Sequence, residues 1–146
     1  MSGDTSAGGL ARLPRTLARL PARPDLAIVE LGANDLLRGI APARMHANLD
    51  AILTELTRCG VPVLLAGMLA PPFLGAFARG YNTVFPAVAR AHKAAFYPFF
   101  LDGVVGDPSL TLADGVHPNA RAVEIIATRI LPHVEAALAS TARKAA

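Results

Sequence analysis

The chain has no tryptophan, and aromatic residues make up only 5% of its 146 residues. Proteins that hold single-stranded nucleic acid stack its bases on aromatic side chains beside a clustered basic face. Here there is little to stack on. The net charge of +3 rests on arginine, with Lys93 and Lys144 the sole lysines, and is too small an excess to mark such a face. No nucleic-acid partner is expected. The single Cys59 excludes an internal disulfide. No apolar run reaches the ~18 residues that a membrane span requires. The start, Met1-Ser2-Gly3-Asp4-Thr5-Ser6, has neither a basic nor an apolar stretch, so no signal peptide is expected in this chain. That leaves the compartment open. His46, His92, His117 and His133 share no ligand spacing such as H-x-x-x-H, and no metal is expected. Phosphate-cradling glycine loops and dinucleotide fingerprints are missing too, so no cofactor is expected.

What is present is apolar. The hydrophobic fraction of 53% and mean hydropathy of +0.41 exclude a disordered chain and fit a core-rich globular one. At this length one domain is expected, residues 1–146, burying roughly 68–70% of the surface of the unfolded chain. Twelve prolines and twelve glycines are scattered, with no linker or repeat among them.

Periodicity divides the chain into alternating elements. Residues 2–23 read as a turn and a helix, with Ser2, Asp4, Thr5 and Ser6 as cap candidates. Leu10, Leu13, Leu17 and Leu20 fall on one face, and Arg12, Arg15, Arg19 and Arg23 on the other, as on a solvated helix. Leu26–Leu31 is a short apolar run bounded by turn signals, the pattern of a buried parallel strand. It empties into the loop Gly32-Ala33-Asn34-Asp35. Residues 42–58 are helical, with Met45, Leu49, Ile52, Leu53 and Leu56 on one face, and Gly60 closes the helix. Val61–Ala66 is a second strand, followed by a Pro/Gly-rich loop from Met68 to Arg79. Tyr81 to His92 is helical around Pro86. Phe96–Phe100 is a third strand, held short by Pro98. Residues 101–117 form a long loop, and a last helix runs from Asn119 to Ser140 with Pro132 inside it.

One stretch carries chemistry. In Asp114-Gly115-Val116-His117-Pro118-Asn119 a carboxylate stands three residues before an imidazole. Pro118 pushes His117 out of the helical region and suits the first turn of the helix that follows. His117 therefore stands on a loop at the mouth of a helix, where Asp114 can bind one ring nitrogen, fix the tautomer and stabilise the imidazolium. That is the support a general-base histidine needs. Asn34 occupies the carboxyl end of a strand, where ligands bind in open α/β sheets, and its amide can donate to a developing oxyanion.

Gly32-Ala33-Asn34-Asp35 and Asp114-Gly115-Val116-His117-Pro118 resemble two sequence blocks of the SGNH, or GDSL, hydrolases. Ser2-Gly3-Asp4-Thr5-Ser6 resembles a third, in the branch of thioesterase I, arylesterase and lysophospholipase. Glu30-Leu31-Gly32, Arg38-Gly39 and Tyr97-Pro98-Phe99-Phe100 also fit that branch, and the likeness runs from Ser2 to about Leu138. The resemblance implies a flavodoxin-like three-layer α/β/α fold with a parallel sheet and a serine esterase acting on small esters or thioesters. It implies His117 as general base, Asp114 as its partner, and Gly3 and Asn34 as oxyanion donors. Gly3 is marked by the resemblance alone.

The departure from the family is at the nucleophile. Relatives begin with a strand ending in Gly-Asp-Ser. None of Ser2, Ser6, Ser109 and Ser140 follows an apolar strand and Gly-Asp, so no nucleophile is identified, although Thr5 and Ser6 sit in an imitation of the motif. The expectation is an esterase domain incomplete at its N-terminus, with three strands, and inactive alone. Its Leu26–Leu31 strand would then be an unguarded sheet edge prone to self-association. The competing class is a non-catalytic α/β domain that binds a ligand or partner, through the arginine face for example.

Overall fold

The computed structural model describes residues 3–145; Met1, Ser2 and Ala146, and with them the expected cap at Ser2, lie outside the described residues. Three parallel strands form the sheet: β1 (Ala27–Glu30), β2 (Val63–Ala66) and β3 (Ala95–Tyr97), in that spatial order. Ala27 pairs with Val63 and Glu30 with Ala66, while Leu64 pairs with Ala95 and Ala66 with Tyr97. The order follows from two β-α-β crossovers, α3 (Pro42–Arg58) between β1 and β2 and α4 (Gly75–Ala91) between β2 and β3. Successive right-handed crossovers that add strands in one direction leave both helices on one face.

On that face Val29, Val63 and Leu65 point inward. They meet Met45, Leu49, Ile52, Leu53 and Leu56 of α3 and Tyr81, Phe85 and Val88 of α4. Fully burying such a side chain contributes about 1.5–3 kcal/mol, so this cluster is the main source of stability. Tyr81 and Phe85 meet edge to face, their centroids 5.5 Å apart. The other face is covered by α5 (Ala120–Ala145), which packs on β2 and β3. A second small cluster, Val104, Leu110, Ala122 and Ile126, fastens the long loop to this helix. The result is a three-layer α/β/α arrangement.

The second face is covered unevenly. Ile28 and Leu64 are paired neighbours, yet Leu64 is fully buried and Ile28 is 50% exposed. α5 packs on β2 and β3 and leaves Ile28 half-exposed on β1, whose outer side has no strand partner among the described residues.

Several element boundaries depart from the sequence expectation. The first helix, α1 (Ser6–Leu17), holds Pro14 within it and stops six residues short of residue 23, where the Ala18 N–H closes the last turn on the Pro14 and Thr16 carbonyls. Arg19 and Arg23 thus leave the helix, and Arg12 is ion-paired with Asp4 at 2.6 Å, so the expected arginine stripe does not form. The loop expected at Gly32–Asp35 is the start of a short helix, α2 (Ala33–Leu37). α4 begins at Gly75, inside the stretch read as loop, and accommodates Pro86. α5 runs to Ala145, past Ser140. The segment before Arg58, by contrast, is helical over the expected residues, and its C-terminal turn is closed by a Val61 N–H bond to the Leu56 carbonyl across Gly60.

Candidate active site

All three strands are parallel, so their carboxyl ends share one edge of the sheet. α2 follows β1 there, and the 98–119 segment follows β3. Gly67, just past β2, binds both sides of that second segment: its N–H donates to Tyr97 and its carbonyl accepts from Phe100.

The base end of the site is built locally. Asp114 Oδ1 accepts the backbone N–H groups of Val116 and His117 at 2.9 and 3.0 Å, and Oδ2 meets His117 Nδ1 at 2.7 Å. The turn places carboxylate and ring side by side, with Gly115 at φ +69. With Nδ1–H donating to Asp114, Nε2 is left as the acceptor on a side chain that is 62% exposed. The two backbone bonds, and then the ring bond, pull Asp114 from the usual 3.8 to about 2, so it is ionised across the ordinary pH range. An isolated bridge between Thr111 and Pro118, with the Leu112 N–H donating to the His117 carbonyl at 2.8 Å, closes the loop below the ring. Asn119 caps α5 through its Oδ1, which accepts from Ala122 N–H at 3.1 Å. Its Nδ2 reaches back to the Ser109 carbonyl at 2.8 Å.

The opposite end is built from distant segments. Gly32 takes φ +116, and a Cβ there would fall 2.8 Å from Phe85 Cζ and 3.1 Å from Met45 Sδ. Only glycine turns the chain that tightly onto the core. The turn puts Asn34 in the first turn of α2, half-buried, with no side-chain hydrogen bond among the described residues. An amide with free donors at a sheet edge can bind an anionic oxygen. Gly3, at φ +76, lies beside α2, and its carbonyl accepts from Arg38 Nη2 at 2.8 Å.

The hydroxyls near Gly3 have other tasks. Ser6 is fully buried and donates to Asp35 Oδ1 at 2.5 Å, while Thr5 Oγ1 accepts from Gly8 N–H as the cap of α1. Ser109 donates to Asp107, and Ser140 to the Ala137 carbonyl. None of these is presented to His117 by a hydrogen bond. Of the other histidines, His92 is bound to Asp50 at 2.8 Å and His133 lies 4.8 Å from the Tyr97 ring. Among the described residues no group of three or more metal-binding side chains forms, and no helix is long and apolar enough to cross a membrane. A hollow of about 710 Å³ lies at the other, amino-terminal edge of the sheet, lined by Leu26, Leu53, Pro62, Lys93 and Leu138. It is far from this chemistry by topology and contains none of its residues.

The sequence marked Asp35 and Arg38 only as parts of family blocks, with no role of their own, and did not mark Asn48. Asp35 is fully buried, accepts Ser6 N–H at 2.7 Å besides the Ser6 hydroxyl, and that hydroxyl accepts from Asn48 Nδ2 at 2.9 Å. The partners lie 29 and 42 residues apart in the chain. The acidic residue directly after Asn34 and the Arg38-Gly39 pair were the local signals.

The model of the GDSL-like Lipase/Acylhydrolase family matches residues 1–125. The chain is 44% identical over 133 residues to the esterase TesA of Pseudomonas aeruginosa, an alignment covering 90% of this chain. It is 34% identical to an arylesterase of Vibrio mimicus, over 92% of this chain and 68% of that protein. A crystal structure of TesA superposes with a TM-score of 0.85 at 42% identity, covering 93% of this chain and 75% of the other. The chain spans 65% of the length of the Pseudomonas aeruginosa relative.

Proposed function

The chain belongs to the GDSL-like lipase/acylhydrolase family, and from that premise we propose that it carries the general-base and oxyanion parts of a serine-type ester hydrolase. The substrates are small carboxylic esters or thioesters, and the reaction is acyl transfer to water. The observation that carries the reading is the 2.7 Å bond from Asp114 to His117 Nδ1, which leaves Nε2 free on an exposed ring at the strand-end edge. His117 takes the proton of the attacking hydroxyl through Nε2, and Asp114 stabilises the imidazolium without itself being protonated. The Gly3 N–H and the Asn34 amide hold the tetrahedral oxyanion, and the imidazolium then returns its proton to the leaving group.

The nucleophile is not among Ser6, Ser109 and Ser140, and Ser2 lies outside the described residues. Purified chain should therefore hydrolyse p-nitrophenyl acetate only at the residual level that an oxyanion hole and binding support, about 10³–10⁴ over water. A fluorophosphonate probe should label none of Ser6, Ser109 and Ser140. Fast turnover that survives His117→Ala, or stoichiometric labelling of Ser109, would overturn this account of the site. Ligand binding with no hydrolysis above water, or with residual hydrolysis insensitive to Asn34→Ala, would favour a non-catalytic domain.

The uncovered flank supports a second reading. Parallel pairing leaves a row of N–H and C=O groups on the outer side of β1, and Ile28 beside it lacks the helix that buries Leu64. Edges of this kind pair with another chain unless guarded by charge, proline or cover. Two copies of this chain would associate through β1. Light scattering after size-exclusion chromatography tests it, and a monodisperse monomer at high concentration excludes it.

A further inference from the structure

Asp35 is a fully buried carboxylate with no ion-pair partner among the described residues. A charge in that position is expensive unless something holds it. What holds it is the start of α1. Ser6 is the first residue of that helix, and its N–H, one of the amides that a helix leaves unpaired, points at Asp35 Oδ2 at 2.7 Å. The Ser6 hydroxyl bonds Oδ1, and Asn48 of α3 bonds that hydroxyl in turn. A second clamp runs between the same two elements: Arg38, just past α2, donates to the Gly3 carbonyl at 2.8 Å.

Both clamps join the segment of Gly3 to the helix of Asn34. Asp35 is the residue after Asn34, and Gly3 is three residues before Ser6. The two groups read above as oxyanion donors come from segments about thirty residues apart and have no direct hydrogen bond to each other. Their separation is fixed through Asp35–Ser6 on the buried side and Arg38–Gly3 on the exposed side. We infer that Asp35 and Arg38 are positioning residues that set the Gly3 N–H and the Asn34 amide as one unit. The inference rests on the reading of Gly3 and Asn34 as oxyanion donors. An oxyanion must accept from both donors at once, and a displacement of about 1 Å at such a site can cost on the order of 100-fold in rate. A backbone turn at an exposed glycine does not hold that tolerance by itself, whereas a carboxylate with two short bonds does.

The test is the set of amide resonances of the isotopically labelled full chain, in particular the Gly3 N–H and the Asn34 side-chain NH₂. Arg38→Met removes an exposed clamp and should leave the fold intact. It should shift Gly3 and Asn34 together and leave the His117 ring resonances in place, and Arg38→Lys, which keeps a donor, should restore them. Ser6→Ala keeps the backbone bond to Asp35 and loses the hydroxyl, and should shift the same pair. Asp35→Asn should shift both further. Gly3 and Asn34 unmoved in Arg38→Met and Ser6→Ala would overturn the inference. The underlying reading fails separately, if ester hydrolysis is insensitive to Asn34→Ala while the two resonances still move together.

Discussion

Two aspartates at this sheet edge do nearly the same thing by opposite means. Asp114 accepts two backbone amides and a ring nitrogen, all within three residues of itself, and its side chain is 47% exposed. Asp35 accepts one backbone amide and one hydroxyl from a residue 29 positions away, and it is fully buried. The first organises a loop and could do so in a short peptide. The second organises tertiary structure and means nothing without it. The candidate site is thus half local and half global, and the halves should fail differently.

The sharpest contrast should appear in turnover. In a form of the protein that turns over esters, His117→Ala should lower kcat by about 10³-fold. Asn34→Ala should cost about 3 kcal/mol of transition-state stabilisation, falling on kcat rather than KM. Asp114→Asn should lie between no effect and His117→Ala. Steady-state kinetics on p-nitrophenyl esters checks all three, and an unchanged kcat in Asn34→Ala would take the global half out of the chemistry.

Stability should reverse the order. Asp35→Ala leaves the Ser6 amide and hydroxyl buried without an acceptor, at about 1–3 kcal/mol for each group. Denaturant unfolding of Asp35→Ala should show that loss, while Asp114→Ala should unfold at nearly the wild-type midpoint. Equal losses for the two would erase the distinction between a local and a global carboxylate.

Titration sharpens it further. Asp114 is depressed to about 2 in the folded chain from an ordinary value near 3.8. For a depressed carboxylate the contribution to the loop is complete above the ordinary value and is lost as pH falls through the folded one. The Asp114–His117 turn should therefore persist at pH 4 and open between about pH 4 and pH 2. Carbon-detected carboxyl shifts of Asp114 would follow it, and a midpoint near 4 would show that the backbone bonds do not form in solution.

The smallest expected effect concerns the flank away from both aspartates. Ile28→Lys places a charge on the unguarded β1 surface and should reduce self-association by light scattering without altering the unfolding free energy by more than about 0.5 kcal/mol. An unchanged mass distribution would remove β1 as the contact.

The local half of the site was legible because its contacts span only a few residues. Proline after His117 fixes an extended backbone, and an aspartate three residues earlier is within reach whatever the rest of the chain does. The helix at 42–58 was legible because its apolar residues recur at the helical period, and the strands at 27–30 and 63–66 because each lies in a short apolar run between turn signals, whereas the third strand, read as Phe96–Phe100, is Ala95–Tyr97 and ends before Pro98. The limits of α1 and α4 were less so. Pro14 and Pro86 both lie within helices, and nothing in local pattern says which proline ends one.

Amino-acid order by itself determined the parallel α/β pattern, the Asp114–His117 pair and the marking of Asn34 at a strand end. The folded chain decided that a short helix follows Gly32 directly, and that position 32 has to be glycine, because Phe85 and Met45, more than ten residues away, leave no room for a Cβ. It decided also that Ser6 is a buried tie and not an available hydroxyl, that Arg38 reaches Gly3, and that α5 covers β2 while leaving Ile28 bare. Each of these depends on which surfaces meet when β-α-β units stack, and such contacts join residues whose separation in the chain carries no period to read.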